Sequence, residues 1–274
     1  MTSTFPDRTR ETDEHQWLED IHGEKQLDWV REQNARTLAM YDADQLAKTS
    51  ASLLEVYDSD DRIPMVSKRG KWLYNFWQDA QHPRGLWRRT TLESYKTDSP
   101  EWDVLLDIDA LGKADGKDWV FHGAQLCHPD YTRALVNLSP DGGDAIVIRE
   151  FDVESKSFVA DGFEIPYAKT DADWIDIDTI FVSTDFGEDS LTTSGYPRQV
   201  RRLKRGQSLA EAQIIHTVPK DHMEVSAHHD AAHGFERDLV VEMIDFFHFN
   251  YWQLVGGELV KIDVPADVRI GLHH

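Results

Sequence analysis

The residues of this chain that could do chemistry are serines, histidines and a large stock of carboxylates, and their spacing decides which of them can act. A serine nucleophile on a strained strand-to-helix turn needs the pattern G-x-S-x-G. The glycines permit the sharp turn that exposes the hydroxyl, and the acid and histidine partners follow later in the chain. The closest approach is Gly206-Gln207-Ser208-Leu209-Ala210, which has Gly before the serine and Ala after it. It follows the basic run Arg201-Arg202-Leu203-Lys204-Arg205 rather than a buried apolar strand. Ser208 is therefore read as a turn residue or the cap of a short segment over 209–212. No residue of the chain is assigned as catalytic, and no substrate-contacting residue is identified.

Four histidines, His222, His228, His229 and His233, lie close together in sequence. His229 and His233 at i,i+4 would share one helix face, as in zinc sites, but the glutamate of H-E-x-x-H is absent. The segment is read as a solvated loop, and no metal is expected. Asp58, Asp60 and Asp61, and again Asp171, Asp173, Asp176 and Asp178, lack the glycine and terminal glutamate of a calcium loop. They are read as solvated strand ends and caps, and no cofactor is expected. A two-carboxylate glycosidase is permitted by the acidic residues, but carboxyl separation is not legible in sequence. Cys127 is the one cysteine, which excludes an intrachain disulfide and allows a reducing compartment.

The 274 residues carry 29 Lys+Arg against 50 Asp+Glu, a formal net charge of -21. That balance opposes binding to nucleic-acid phosphates or to anionic lipid, so no nucleic-acid and no membrane partner is expected. No apolar run of signal-peptide length opens the chain and no window approaches a membrane span, which makes the cytoplasm the default location. Hydrophobic residues at 40% and aromatics at 11% are enough to fill a core.

The elements that would position any site are short strands. Residues 134–138 and 145–153 are apolar and β-branched, and Ser139-Pro140-Asp141-Gly142-Gly143-Asp144 between them is turn chemistry, so 134–153 reads as a hairpin. Similar pairs fall at 72–77 with 86–93, 179–184 with 199–203, and 239–246 with 250–255. Each pair is followed by another extended run, at 102–107, 162–166, 212–218 and 258–263. Further short strands precede them at 63–67, 119–122, 171–175 and, more weakly, 223–227. Four strands per unit, with units roughly 45–60 residues apart, is the pattern of β-propeller blades, and a β-sandwich is the alternative. The expected fold is mainly β. A helical arm over 1–61 precedes about four four-stranded blades of an incomplete propeller of the seven-bladed type over 62–274. The blades fall at 62–112, 118–167, 169–219 and 222–265, with the start of a fifth at 266–274.

In the arm, Leu27, Val30, Leu38 and Tyr41, then Leu46, Leu53, Leu54 and Tyr57, recur at helical intervals and read as two helices. So small an arm cannot bury its own apolar stripe, and Trp17, Trp29 and Leu38 are expected to pack on another surface. An open-ended stack of blades is also expected to leave an apolar face exposed at each end.

The opening Asp13-Glu14-His15-Gln16-Trp17-Leu18-Glu19-Asp20, with Trp29-Val30-Arg31-Glu32-Gln33-Asn34, resembles the N-terminus of prolyl oligopeptidase-type serine peptidases. The run 149–159 followed by Asp161-Gly162-Phe163 is similar to the second propeller blade of a bacterial branch of that family. Thr184-Asp185-Phe186-Gly187, Ser190-Leu191-Thr192 and Ser194-Gly195-Tyr196-Pro197-Arg198 are similar to its third. The resemblance implies a seven-bladed propeller capping an α/β-hydrolase domain, with the arm packed on the hydrolase near Trp17, Trp29 and Leu38. It implies a serine-type endopeptidase acting on short peptides, typically after proline, with the propeller limiting access. The family's serine, aspartate and histidine would lie beyond residue 274, so this part is expected to be inactive alone. A stand-alone propeller acting as a binding module is the second reading.

Overall fold

The computed structural model describes residues 13–271 and divides into two units, 1–60 and 61–274. In the first unit a 3-10 turn at Gln16–Glu19 precedes α1 (Glu24–Leu38) and α2 (Ala43–Asp58). Gly23 occupies the N-cap of α1, and the Asp42 carboxylate caps α2 by accepting the Gln45 N–H at 3.0 Å. Trp17 and Trp29 meet edge to face at 6.2 Å, and Lys25 lies over the Trp17 ring. Neither helix contains a buried residue; Leu38, Leu53, Leu54 and Tyr57 are all exposed.

The second unit is four antiparallel sheets formed one after another along the chain. The first joins β1 (Ser67–Arg69), β2 (Trp72–Trp77), β3 (Leu86–Thr91) and, beyond the one-turn α3 (Leu92–Tyr95), β4 (Asp103–Asp107). Then α4 (Ile108–Asp115) leads to β5 (Val120–Leu126), β6 (Arg133–Ser139), β7 (Ala145–Asp152), β8 (Ser157–Phe158) and β9 (Glu164–Lys169). The third sheet is β10 (Asp171–Asp176), β11 (Thr179–Ser183), β12 (Gln199–Lys204) and β13 (Gln213–Thr217). The fourth is β14 (Glu224–Asp230), β15 (Arg237–Met243), β16 (Phe249–Val255) and β17 (Glu258–Lys261).

Alternating side chains decide how these sheets stack, because successive residues of a strand point to opposite faces. On β6, Ala134, Val136 and Leu138 join Tyr74, Trp87, Ile108, Trp119 and Phe151 between the first and second sheets. Leu135 points the other way, into a core with Ile148, Phe163, Ile165, Trp174, Ile180 and Val182 between the second and third. On β11, Ile180 and Val182 face that core, while Phe181 joins Val200, Val225, Ala227 and Val240 between the third and fourth. Sheets buried on both faces and stacked in chain order are propeller blades.

The blade-two motif is a bolt. Glu150, 1% exposed, accepts the Phe163 N–H at 2.8 Å and a bidentate pair from Arg205 of the third sheet, Nη1 at 2.8 Å and Nη2 at 3.0 Å. Gly162 is required beside it, since a Cβ there would sit 2.8 Å from the Glu150 Cβ. The blade-three motif fastens a loop. Thr192 Oγ1 donates to the Met223 carbonyl at 3.0 Å and the Tyr196 hydroxyl donates to Asp144 at 2.7 Å, tying residues 184–198 to the sheets on either side.

Several expectations need correction. The helices α3 and α4 were not anticipated; the Asp107 side chain accepts the Ala110 N–H and Gly116 closes α4 in the left-handed region, a capping signal masked by the flanking strand residues. The second sheet has five strands, because β8 and β9 share the edge of β7. The strand expected at 63–67 is β1, at Ser67–Arg69. The end sheets also lack bare apolar faces. On the first, Arg62, Trp77, Arg88 and Trp102 alternate as cation and ring, with guanidinium-to-ring separations of 4.7, 4.6 and 4.1 Å. On the fourth, Leu239, Phe249 and Tyr251 are buried, with Arg269 over the Phe249 ring and the Ile270 N–H on the Tyr251 hydroxyl. No strand forms over 266–271, and residues 272–274 of the expected fifth blade lie outside the described residues.

Arg205→Ala should cost about 3 kcal/mol of unfolding free energy, the low end for breaking a buried ion pair, because Arg133 still lies 3.5 Å from Glu150. Urea denaturation checks this, and a loss below about 1 kcal/mol, the scale of exposed pairs, would show that the bolt is ornamental.

Candidate functional site

None of the chemistry-bearing residues assembles a catalytic centre among the described residues. Ser208 begins the 3-10 turn Leu209–Glu211, where its N–H and its hydroxyl both donate to Glu211 Oε2, at 2.8 and 2.7 Å. It is a cap, as its sequence context suggests. The histidines correct the solvated-loop reading. His228 and His229 lie on β14, and successive strand residues point to opposite faces, so the helical i,i+4 geometry with His233 does not arise. His229 Nδ1 is 2.8 Å from Asp238, and His222 Nδ1 is 2.8 Å from the buried Glu242. No group of three potential metal ligands forms among the described residues.

The aspartates separate in the same way. Asp58 ends α2, and Asp176 and Asp178 close the β10–β11 turn, where Asp176 accepts the Asp178 N–H. Asp171 and Asp173 sit instead on the first strand of the third sheet. Cys127 is buried, and burial pushes its thiol up to about 11, so it stays protonated and unreactive at neutral pH.

Polar groups from all four sheets converge at their first strands. β10 lies against both β5 and β14. All four first strands, β1, β5, β10 and β14, line a cavity of about 620 Å³. Lys68 and Arg69 come from β1, Gln125 from β5, Asp173 and Trp174 from β10 and His229 from β14, with His128, Tyr131 and His233 from adjoining loops. The Trp174 Nε1–H donates to the Gln125 carbonyl at 2.8 Å, and the His229 N–H donates to Asp173 at 3.0 Å, which holds the wall rigid.

Behind this wall the electrostatics are strained. Burial pushes the Asp171 carboxyl up, with Asp173 adding repulsion and His228 opposing it. Burial also raises Glu224, and the Asp171 charge adds to the effect. Burial alone would lower His228, but Asp173, 3.8 Å from its Nδ1, and the Asp171 charge leave it raised. Sequence reading missed this site because its residues are spread over four repeats. The usable signal was position, since each first strand is the more polar opening of its unit.

Four stacked sheets with their first strands converging on a common cavity define a section of a β-propeller. The family model described as prolyl oligopeptidase, N-terminal beta-propeller domain, matches residues 2–236, and the chain belongs to that family. It is 38% identical over 244 residues to an uncharacterized peptidase of Sinorhizobium fredii, covering 86% of this chain and 33% of that protein. It is 31% identical over 275 residues to an uncharacterized peptidase of Rickettsia prowazekii, covering 94% of this chain and 38% of the relative. A solved structure of a post-proline cleaving enzyme from Rickettsia typhi superposes with a TM-score of 0.84 at 30% identity, over 93% of this chain and 39% of that one. The chain thus spans between a third and two fifths of the length of these relatives.

A carboxyl raised in the native state favours its protonated form, so its contribution to stability is full below the ordinary carboxyl pKa and is lost as pH rises through the raised value. Asp171→Asn should therefore raise the melting temperature at pH 7 and leave it little changed at pH 3. A lower melting temperature at pH 7 would mean that the Asp171 charge is needed by His228.

Proposed function

We propose that residues 1–274 are the N-terminal part of a serine peptidase of the prolyl oligopeptidase type, which hydrolyses short peptides, typically after proline. The observation that carries this reading is the agreement with the post-proline cleaving enzyme of Rickettsia typhi over 93% of the chain, at a TM-score of 0.84. The part described here would act as the gate. In a closed ring, stacked blades would enclose a channel along their first strands, and a substrate would have to be short and extended to pass.

Hydrolysis would belong to an α/β-hydrolase domain encoded outside residues 1–274. There a serine attacks the peptide carbonyl, a histidine takes and returns the proton, an aspartate orients that histidine, and backbone N–H groups stabilise the oxyanion. The exposed face of the arm supports a docking role toward that domain. Leu38 is 58% exposed, and a fully buried side chain of this kind contributes about 1.5–3 kcal/mol. Trp17 and Trp29 lie in the same arm, and the proposed hydrolase contact uses all three residues. A cytoplasmic location goes with this reading. Fractionation of the cell checks it.

The decisive experiment reads the gene beyond codon 274 and assays its full product. The expected result is a G-x-S-x-G serine followed by Asp and His, with hydrolysis of a proline-containing reporter peptide that Ser→Ala abolishes. A full product without that serine overturns the reading and leaves a propeller that binds rather than cleaves, and one that turns over an aryl glycoside instead overturns it in favour of a glycosidase.

A further inference from the structure

The sheet junctions differ in what closes them. Between the first and second sheets Arg89 of β3 reaches Glu154 at 3.1 Å, and between the second and third Arg205 reaches Glu150 at 2.8 Å, so both use a cation that keeps its charge at any physiological pH. The third and fourth sheets meet along β10 and β14 without such a bolt at their first strands. Asp171 and Asp173 stand opposite Ser183 and Phe181 in the register of β10 and β11, and residues directly opposite share a face, so both aspartates point with the Phe181 ring toward the fourth sheet. There Asp173 Oδ2 accepts the His229 N–H at 3.0 Å and lies 3.8 Å from His228 Nδ1. Among the described residues no lysine or arginine forms an ion pair with Asp171, Asp173 or Glu224. The fixed cation that does cross the junction, Arg202, is 3.9 Å from Asp238, which already holds His229 at 2.8 Å.

The surroundings of His228 leave its own proton to set the charge balance. Its Nε2 is 3.2 Å from the Ser226 hydroxyl of the same strand, and Glu224 lies two residues further along that face. His228 and Asp173 share a cavity of about 410 Å³ with Leu239 of β15, Phe249 and Tyr251 of β16, and Arg269 from the segment after β17. The Tyr251 hydroxyl accepts the Ile270 N–H, and Arg269 lies over the Phe249 ring, making no ion pair with a carboxylate among the described residues.

We propose that the junction between the third and fourth sheets is a pH-operated latch: the protonated His228 ring holds Asp173 across the two sheets, and its loss of a proton to solvent leaves Asp171, Asp173 and Glu224 to repel one another and loosen β10 from β14. The sign is the same for every group involved. Burial lowers His228, but Asp173 and the Asp171 charge outweigh it, so the histidine's contribution is full below its ordinary value and is lost as pH rises through the raised one. Asp171 and Glu224 are raised chiefly by burial, and each becomes a cost as pH rises through its own raised value. His229 is raised too, mainly by its bond to Asp238, but that pair lies within the fourth sheet. Because Asp173 and His229 line the cavity along the first strands, opening the latch loosens a wall of that cavity. The latch belongs to the stacked sheets and stands whether or not the full product hydrolyses peptides.

The test follows hydrogen–deuterium exchange of the full gene product at about pH 6 and about pH 8.5, on either side of the ordinary histidine range, corrected for the intrinsic pH dependence of exchange. Strands β6 and β7 of the second sheet serve as the internal reference. Exchange in β10 and β14 should accelerate relative to that reference by about three- to fivefold on raising the pH, the scale of losing a part-buried ion pair. His228→Gln should show the fast exchange at both pH values. His229→Gln, whose ring faces Asp238 instead, should keep the wild-type response, and Asp171→Asn should lessen it because one repelling charge is gone. A wild-type ratio that does not change with pH overturns the proposal. So does an undiminished response in His228→Gln, its disappearance in His229→Gln, or a larger one in Asp171→Asn.

Discussion

Everything in the sheet unit depends on one constraint: its strands are apolar on both faces, so no sheet can be stable without a neighbour on each side. β6 divides its side chains between two cores, Ala134, Val136 and Leu138 one way and Leu135 the other, and β11 does the same with Ile180, Val182 and Phe181. Hydrophobic burial then sets the stacking order, because each core needs both of its walls. The ends of the described stack meet the same demand by other means. The first sheet covers its outer face with alternating Arg and Trp side chains, where burial lowers the Arg88 guanidinium to about 10 without neutralising it at physiological pH. The fourth sheet uses the segment after β17, whose Arg269 and Ile270 lie on Phe249 and Tyr251.

Charge is managed locally within an acidic chain. Buried carboxylates would be costly if unpaired, and Glu150, Asp230 and Glu242 each have a dedicated set of donors. Glu150 has Arg205 and the Phe163 N–H. Asp230 has both Nε and Nη2 of Arg237, and Glu242 has His222, Asn250 and Trp252. These sets bridge strands or whole sheets, so they fix register and spacing where hydrophobic contact alone would tolerate slippage. The motifs over 149–163 and 184–198 belong to this class. Their polar residues look reactive in sequence because fastening and catalysis draw on the same donors and acceptors.

That overlap explains what could be read without a structure. The hairpin at 134–153 was legible because period-two alternation and the Ser139-to-Asp144 turn signal the same element, realised as β6 and β7. Propeller architecture was legible through repetition of that signal. Ser208 could be dismissed as a nucleophile because the strand before it is basic. The helix α4 was hidden, since Asp107 serves both as the last residue of β4 and as an N-cap. The histidine segment was misplaced because His228 and His229 break the apolar pattern of β14, and only Asp173 on β10 and Asp238 on β15 make sense of them. The cavity itself had no local signature, as Lys68, Gln125, Asp173 and His229 are separated by about fifty residues each and meet only through the repeat.

The distribution of polarity across a sheet follows from the same geometry. Middle strands such as β6 and β11 touch neighbours on both faces, so their central runs Ala134–Val136 and Ile180–Val182 are apolar and buried. First strands border the cavity, where polar groups can be hydrated or liganded, and there the chain places Lys68, Arg69, Gln125, Asp173 and His229. A propeller therefore concentrates its chemical freedom where its strands are least constrained by packing.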